Sequence, residues 1–284
     1  MAQPIYLQLL FLLLLTKTLF FRSTYAVDLV FNGFNSSELF FYGTASLESR
    51  VLILTNNSAF SVGRALYPTK IPTRPPNSST LLPFYTSFIL SIAPSDGQLS
   101  GHGLVFIFAP TTGINGTSSA QNLGLFNRTN NGSPDNHVLG IEFDIFQNQE
   151  FNDINDNHVG VDINSLTSLT AQSAGYWAKN RSDQDRTFHD LKLNSGANYQ
   201  VWIDYSNSQL NVTIAPVGLK RPELPLISTP VNLSDVLLDE MYIGFTSSTG
   251  RLVAYHRVLA WCFSNSNVSI GDSLLTSSLP LFVP

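Results

Sequence analysis

Residues 199–217 decide the fold class and read Tyr-Gln-Val-Trp-Ile-Asp-Tyr-Ser-Asn-Ser-Gln-Leu-Asn-Val-Thr-Ile-Ala-Pro-Val. Apolar and polar residues alternate on both sides of Ser206-Asn207-Ser208, which is the pattern of two half-buried strands joined by a tight turn. Similar short apolar runs bounded by Gly, Pro, Asn or Ser predict further strands at 27–31, 51–54, 84–92, 104–108, 137–146, 159–163, 241–245 and 255–263. No stretch sustains a helical period, so we expect an all-β sandwich or jelly roll of antiparallel sheets in a single domain.

The composition excludes several classes of protein. Of 284 residues, 43% are hydrophobic and only 12% are charged, whereas an ordinary domain has about 25% charged residues. Fifteen Lys and Arg against 20 Asp and Glu give a net charge of −5, so the chain lacks the basic character that nucleic-acid binding requires. A single Cys excludes a disulfide framework and a cysteine-based zinc site. Burial of apolar side chains must therefore stabilise the fold.

The first 26 residues are typical of a secretory signal peptide. Leu7–Leu15 is an almost unbroken apolar run, and small residues at Thr24 and Ala26 suit cleavage after Ala26. A retained membrane anchor is the alternative, but the run is short for a membrane span and no second span follows. We therefore expect a signal peptide at 1–26, a β-sandwich domain at 27–264 and a C-terminal tail at 265–284.

The sequon Asn-X-Ser/Thr recurs along the chain and independently predicts secretion and N-glycosylation. The asparagines of these sequons are Asn35, Asn56, Asn77, Asn115, Asn127, Asn131, Asn180, Asn211, Asn232 and Asn267.

Candidate metal ligands concentrate in residues 141–158, Ile-Glu-Phe-Asp-Ile-Phe-Gln-Asn-Gln-Glu-Phe-Asn-Asp-Ile-Asn-Asp-Asn-His. On a strand, Glu142 and Asp144 point to the same face, where they repel each other unless a cation lies between them. Asp153 and His158 follow after a loop rich in oxygen donors, which suits Ca²⁺ and, with one imidazole, a transition metal such as Mn²⁺. A solvated acidic turn is the alternative. An EF-hand is excluded, because His158 stands where its loop needs Gly.

This segment resembles the metal loop of the legume lectins, and more closely that of the lectin-like ectodomains of plant receptor kinases and their free-standing secreted relatives. Four further blocks occur in matching order along the chain: 29–34, 101–110, 123–127 and 241–250. The resemblance covers almost the whole chain after residue 26, and it implies the concanavalin-like jelly roll.

The resemblance also implies a metal pair and the residues that bind it. It makes Glu142, Asp144, Asp153 and His158 the ligands of Mn²⁺, with Ser168 placed to hold a metal-bound water. Calcium would share Asp144 and Asp153 and add the side chain of Asn148 and the carbonyl of Phe146. Calcium then orients Asn148, whose amide donates to a sugar hydroxyl while the Phe146 ring packs on the apolar face of the sugar.

Two positions of the implied carbohydrate site depart from the family pattern. The family places an Asp after a cis peptide bond, where it accepts two sugar hydroxyls, and His102 stands there in this chain. The family also uses the backbone N–H of a Gly at a position that Gln121 occupies. A neutral imidazole offers one acceptor where a carboxylate offers several, so a weak or altered monosaccharide site is expected.

Glycoside hydrolysis is the main enzymatic alternative, because related folds carry Glu-X-Asp-X-Glu on one strand. Phe146 occupies the third acidic position, and no Gly-X-Ser-X-Gly motif occurs, so we do not expect an enzyme.

A recognition module without sugar binding is the remaining alternative, and it would bind an apolar ligand or a protein partner through an aromatic surface. Its candidate residues are Phe146, Phe151, Tyr176, Trp177 and Tyr255. The favoured partner is a glycan or glycoprotein, with a homodimer also considered. The expected location is the apoplast or cell wall, or alternatively the vacuole.

Overall fold

A computed structural model describes residues 25–95, 101–179, 186–266 and 270–282. The predicted signal peptide, apart from Tyr25 and Ala26, and the sequon residues Asn180 and Asn267 lie outside these ranges. Two eight-stranded antiparallel sheets and a separate two-stranded hairpin make up the described architecture. The predicted all-β sandwich is therefore confirmed.

Numbered in chain order, the strands are β1 (Asp28–Phe31), β2 (Phe40–Gly43), β3 (Ser46–Glu48), β4 (Val51–Thr55), β5 (Val62–Leu66), β6 (Ile71–Pro72), β7 (Phe84–Pro94), β8 (Gly103–Ala109), β9 (Leu139–Asp144), β10 (His158–Ile163), β11 (Thr170–Ser173), β12 (Gly175–Lys179), β13 (Arg186–Asp190), β14 (Tyr199–Ser206), β15 (Gln209–Pro216), β16 (Ile227–Pro230), β17 (Glu240–Ser248) and β18 (Ala254–Ser264). The back sheet has the order β16-β15-β14-β7-β18-β4-β3, with β1 also paired to β18. The front sheet has the order β11-β10-β9-β8-β17-β5-β2, with β6 also paired to β17. Strands β12 and β13 form the hairpin.

An aromatic layer fills the space between the two sheets. Phe88 of the back sheet lies 5.0 Å from Phe245 and 5.8 Å from Phe106 of the front sheet, measured between ring centroids. Phe245 also contacts Trp261 of β18 at 5.2 Å. Each of these rings is essentially inaccessible to solvent. Because burial of an aromatic side chain stabilises a fold by several kcal/mol at most sites, this layer compensates for the absence of disulfides that the single Cys predicts.

The hairpin predicted at 199–217 is present as β14 and β15. Val201, Ile203 and Tyr205 point into the core, whereas Trp202 and Asp204 lie on the opposite face of the sheet. The other predicted strands also form, although β9 covers only Leu139–Asp144 of the predicted 137–146. The sequence did not predict the short edge strands or the hairpin β12–β13, because runs of two to five residues with mixed polarity give a weak alternation signal.

Residues 270–282 cover part of the outer face of the back sheet. Leu274 packs into an apolar cluster with Ile89 and Cys262. The Cys262 thiol donates to the Ile270 carbonyl at 3.4 Å, and burial raises the pKa of this thiol to about 12. The segment is held further along by Phe282, whose ring lies 4.1 Å from the Arg257 guanidinium carbon.

The reactivity of Cys262 should report whether this segment is docked. We expect Leu274→Glu to unseat the segment, because a buried carboxylate has no partner there, and to speed labelling of Cys262 by a maleimide about tenfold or more. Leu281→Glu is the matched control, because Leu281 is 75% exposed, and it should label like the wild type. Equal labelling rates for all three proteins would contradict the conclusion that residues 270–282 shield Cys262.

Candidate metal and ligand site

Strand β9 carries two carboxylates on the face of the front sheet that points away from the core. Ile141 and Phe143 of β9 enter the core, so the alternation directs Glu142 and Asp144 to the other side. His158 lies directly opposite Asp144 on β10. One ligand atom from each of Glu142, Asp144 and His158 lies within 4.8 Å of the other two, and this group can hold a metal ion.

Hydrogen bonds orient the His158 ring for ligation. Its Nδ1 lies 2.8 Å from the Asn155 carbonyl, to which it donates, and its Nε2 faces Glu142 Oε1 at 3.3 Å. Burial alone would lower the pKa of His158, but the hydrogen bond to Glu142 and the charges of Glu142 and Asp153 raise it. A fixed Nδ1–H donor is the usual arrangement of a metal-ligating histidine, and it leaves Nε2 directed at the Glu142 carboxylate, with which it would share the ion.

The loop after β9 brings Asn148 and Asp153 together beside this group. The backbone N–H of Asn148 donates to Asp153 Oδ2 at 2.6 Å, and the N–H of Phe146 donates to Asp144 Oδ1 at 2.6 Å. Burial raises the pKa of Asp153 to about 6. Asp153 does not belong to the three-residue group, so its role as a shared ligand stays a prediction. The side-chain oxygen of Asn148 is buried without a hydrogen-bond partner among the described residues.

The chemistry of these groups fits a divalent cation. Burial, followed by repulsion from Glu142, raises the pKa of Asp144 well above its ordinary value. A nearby cation would reverse this shift and would also supply a partner for the unpaired oxygen of Asn148. Carboxylates, one imidazole and an amide oxygen are ligands suited to Ca²⁺ and Mn²⁺.

Asp162 is a buried member of this neighbourhood that the sequence analysis missed. It is fully buried on β10, and burial together with the Glu142 charge raises its pKa well above the ordinary value. The Ser168 hydroxyl lies 2.6 Å from Glu142 Oε1 and 2.7 Å from Asp162 Oδ1. Gly160 lies between His158 and Asp162, and any Cβ there would collide with Glu142 and Ser168. The period-two spacing of 158, 160 and 162 is the signal that could have identified Asp162.

His102 lies next to Phe146 above this cluster. The Gly101–His102 peptide bond is cis, and the two rings are 4.6 Å apart between centroids. The backbone of His102 is bonded on both sides, donating to the Ser248 carbonyl at 3.2 Å and accepting from Ile145 N–H at 2.8 Å. His102 is only 6% exposed, and burial lowers its pKa to about 4. A neutral imidazole, rather than an imidazolium, therefore faces this part of the site at neutral pH.

Gln121 lies in a short 3-10 turn, Ala120–Asn122, that is hydrogen-bonded to the loop after β17. The N–H of Ala120 donates to the Thr249 carbonyl at 3.0 Å, and its carbonyl accepts from the Ser248 hydroxyl at 2.6 Å. A Cβ added at Gly250 would meet both Ala120 and the His102 ring. The structure therefore brings together the turn of Gln121 and the loop of His102, with Gly250 between them.

A buried arginine secures the loop that carries Gln121. Arg64 of β5 donates to the carbonyls of Gly113 and Gly124, which lie on either side of this turn. Burial lowers the pKa of Arg64 to about 10, which still leaves the guanidinium charged at neutral pH. The sequence analysis missed Arg64, because a single Arg on a short strand has no local pattern that marks it as a clamp.

The remaining aromatic candidates do not form one surface with Phe146. Phe151 packs against the apolar cluster of the front sheet, and Tyr255 packs against the outer cluster of the back sheet. Tyr176 and Trp177 belong to the hairpin β12–β13.

The sequon asparagines within the described ranges are accessible to different degrees. Asn35, Asn77, Asn115 and Asn232 are exposed. The half-buried ones are Asn56, Asn127, Asn131 and Asn211. Their glycosylation stays a prediction.

The antiparallel two-sheet sandwich with a buried cluster of two acidic residues and a histidine is the arrangement expected of a lectin-type domain. The legume lectin domain family matches residues 26–277, and the chain belongs to this family. The resemblance predicted from the sequence is confirmed.

Named relatives agree with this assignment. The L-type lectin-domain containing receptor kinase VII.1 of Arabidopsis thaliana is 57% identical over 260 residues, which cover 91% of this chain but only 37% of the receptor kinase. A lectin-like protein of the same plant is 42% identical over 258 residues, covering 86% of this chain and 94% of that protein. The solved structure of lectin UEA-II complexed with galactose is 26% identical, with a TM-score of 0.69, and the match covers 84% of this chain and 99% of the lectin. Within the described ranges, no helix has the length and apolarity needed to cross a bilayer.

His256 makes a testable contribution to acid stability. It is fully buried on β18 with Nδ1 2.6 Å from Thr55 Oγ1, and burial lowers its pKa to about 3. Between that value and about 6.5, the unfolded chain binds a proton that the folded chain excludes, so the stability contribution falls as the pH falls. We expect the free energy of unfolding of the wild type, relative to that of His256→Gln, to fall by about 1.4 kcal/mol per pH unit on acidification from pH 6 to pH 4. Urea denaturation of both proteins across this range measures it, and a constant difference would contradict the assignment.

Proposed function

We propose that this chain is a secreted, metal-containing lectin-like protein that binds a glycan or glycoprotein through the loops around His102, Phe146 and Asn148. The observation that carries the proposal is that the backbone N–H of Phe146 donates to Asp144 of the Glu142, Asp144 and His158 group, while the His102 ring contacts the Phe146 ring. The backbone N–H of Asn148 donates to Asp153 in the same loop. Family membership and the galactose complex of a structural neighbour support carbohydrate as the ligand class.

The residues divide into those that bind metal and those that touch the sugar. Glu142, Asp144, Asp153 and His158 would hold Mn²⁺, and Asp144, Asp153, Asn148 and the Phe146 carbonyl would hold Ca²⁺. Together these ions would supply charge that offsets the buried carboxylates and would fix the loop geometry. The Asn148 amide then donates to a sugar hydroxyl, and the Phe146 ring packs against the apolar face of the ring.

His102 and Gln121 make this site different from a carboxylate-based sugar pocket. The imidazole of His102 can accept one hydrogen bond when neutral, and its pKa of about 4 keeps it neutral at ordinary pH. We therefore propose weak binding of simple sugars, with larger glycans gaining contacts outside the primary pocket. A lectin fold that has lost sugar binding and recognises an apolar ligand or a protein is the alternative.

Binding without catalysis is part of the proposal. Phe146 stands where a hydrolase of related fold would need its second catalytic carboxylate, and Glu142 and Asp144 are grouped with His158 as ligands. Secretion and several N-glycans are further elements of the proposal and rest on the apolar leader and the sequons. A homodimer is a further proposal.

Metal removal should destabilise the protein. A bound ion stabilises the fold by about 2.7 kcal/mol at a hundredfold excess over its Kd, so we expect chelation to lower the Tm by about 5–10 °C. Asp144→Asn should abolish the difference between metal-loaded and chelated protein. Asp235→Asn, an exposed acid away from the cluster, should retain it. Differential scanning calorimetry makes the comparison, and an unchanged Tm after verified metal removal would refute the metal site.

Restoring the family residues should strengthen monosaccharide binding. Each regained charge-assisted hydrogen bond is worth about 1.5–3 kcal/mol, so we expect His102→Asp with Gln121→Gly to bind a simple sugar at least about tenfold more tightly than wild type. Calorimetric titration with glucose, mannose and galactose measures this, and the same double variant after chelation is the control that should lose binding. Millimolar or tighter binding by the wild type that His102→Ala leaves unchanged would show that the site lies elsewhere.

A further inference from the structure

A cleft lies beside the hairpin β12–β13, and its lining includes neither His102 nor Asn148. It has a volume of about 320 Å³ and lies between this hairpin and the loop 219–224 that joins β15 to β16. Trp177, Lys179 and Arg186 line one wall, and Lys220 lies in the opposite wall.

The register of the hairpin places aromatic and cationic side chains on one face in a fixed order. Trp177 pairs with Phe188, and Lys179 pairs with Arg186. Residues two apart on a strand share a face and lie about 7 Å from each other. The face therefore presents an aromatic pair at one end, with ring centroids 5.1 Å apart, and two cations at the other end.

The lining of this cleft is electropositive although the whole chain is acidic. Glu223 is the only carboxylate among its described lining residues, and its Oε2 lies 2.8 Å from Lys179 Nζ and 4.0 Å from Arg186. Lys220 adds a third cation to this group. Arg221, in contrast, is occupied by an ion pair with Asp204 on the back sheet, which anchors the loop. Among the described lining residues, the three cations Lys179, Arg186 and Lys220 thus outnumber the carboxylate of Glu223 by two.

The exposed aromatic surface lies next to these charges. Trp177 is 38% exposed although it is a large apolar side chain in a folded domain, and its neighbour Phe188 is half-buried. An indole face binds the apolar C–H face of a pyranose, and Lys and Arg bind a carboxylate. Glu223 already places one carboxylate against Lys179 and Arg186, which shows that the rim accommodates this group.

We propose that this cleft is a second carbohydrate subsite that binds an anionic, uronic-acid-containing oligosaccharide, with one sugar ring on Trp177 and a carboxylate on Lys179, Arg186 and Lys220. The proposal rests on glycan recognition as the function of the chain, and it adds a ligand class and a second surface to it. Glu223 competes for the same cations, and because that ion pair is exposed to solvent it is weak enough to exchange.

Binding of tetragalacturonic acid to the whole glycoprotein tests the proposal by calorimetric titration. We expect binding at low salt that weakens about tenfold or more between 20 and 300 mM NaCl, as exposed charge pairs require. The fully methyl-esterified tetramer has the same sugar rings without charge, and it should bind about tenfold more weakly or not at all. Equal binding of ester and acid would overturn the anionic assignment.

Variants of the cleft separate its two components. Trp177→Ala and the double change Lys179→Gln with Arg186→Gln should each weaken binding about tenfold, whereas Glu223→Gln should strengthen it severalfold by removing the competing carboxylate. Lys192→Gln, an exposed lysine outside the cleft, should leave binding unchanged. Equal affinities for wild type and all the cleft variants would overturn the site, as would binding of indole-3-acetate as tight as that of the tetramer.

The primary site is tested separately in the same assay. Asp144→Asn and chelation should leave tetragalacturonate binding intact, because the cleft contains none of the residues grouped around Asp144. Loss of binding in Asp144→Asn would place the ligand at the primary site, which would overturn the second subsite while leaving glycan recognition standing. Tetragalacturonate binding that does not depend on metal would support the cleft. If the His102 and Gln121 double variant also failed to bind monosaccharides, that result would count against the primary pocket.

Discussion

Crowding of buried acidic side chains is the constraint on which the binding end of this protein depends. Glu142, Asp144 and Asp162 are nearly inaccessible to solvent, and burial, followed by the Glu142 charge, raises the pKa of both aspartates. The alternate residues Phe143 and Val161 fill the core between the sheets, so these acidic groups are fixed on the opposite face of the front sheet, where they are nevertheless buried. Strands β9 and β10 therefore supply both core residues and candidate ligands. A cation or bound protons must offset the repulsion between the buried carboxylates.

The loop that carries Phe146 and Asn148 is attached to this cluster by its own backbone N–H groups. Phe146 N–H donates to Asp144, Asn148 N–H donates to Asp153, and Ile145 N–H donates to the His102 carbonyl. Main-chain bonds hold a loop whatever side chain it presents, so His102 can replace a carboxylate without loss of the scaffold. Under the proposed function, this arrangement would let the fold keep its metal ligands while its ligand preference changes.

The sequence was sufficient for the parts of the structure that have a local period. The alternation around residues 199–217 predicts β14 and β15, and the spacing of Glu142 and Asp144 places both on one face. Arg64 and the Ser168 bridge between Glu142 and Asp162 depend on contacts between segments distant in the chain, which no local pattern contains. Strands β12 and β13 are neighbours in the chain, but their mixed polarity gives only a weak alternation signal. Arg64 and Gly124 are 60 residues apart in the chain, and Glu142 and Ser168 are 26 apart. Such contacts form only when the sheets assemble, so the local sequence does not predict them.

Protons and metal ions compete for the same oxygen atoms in this cluster. A metal ligand must be deprotonated, whereas burial raises the pKa of Asp144 and Asp153 in the metal-free chain. The metal-free protein therefore holds protons on these groups at pH values where a free carboxyl would be ionised, and metal binding must release them. It follows that acidification weakens metal affinity at a higher pH than an exposed carboxylate site would require. In the proposed site, sugar recognition through Asn148 would depend on that metal, so acid should weaken the proposed site before it unfolds the sandwich.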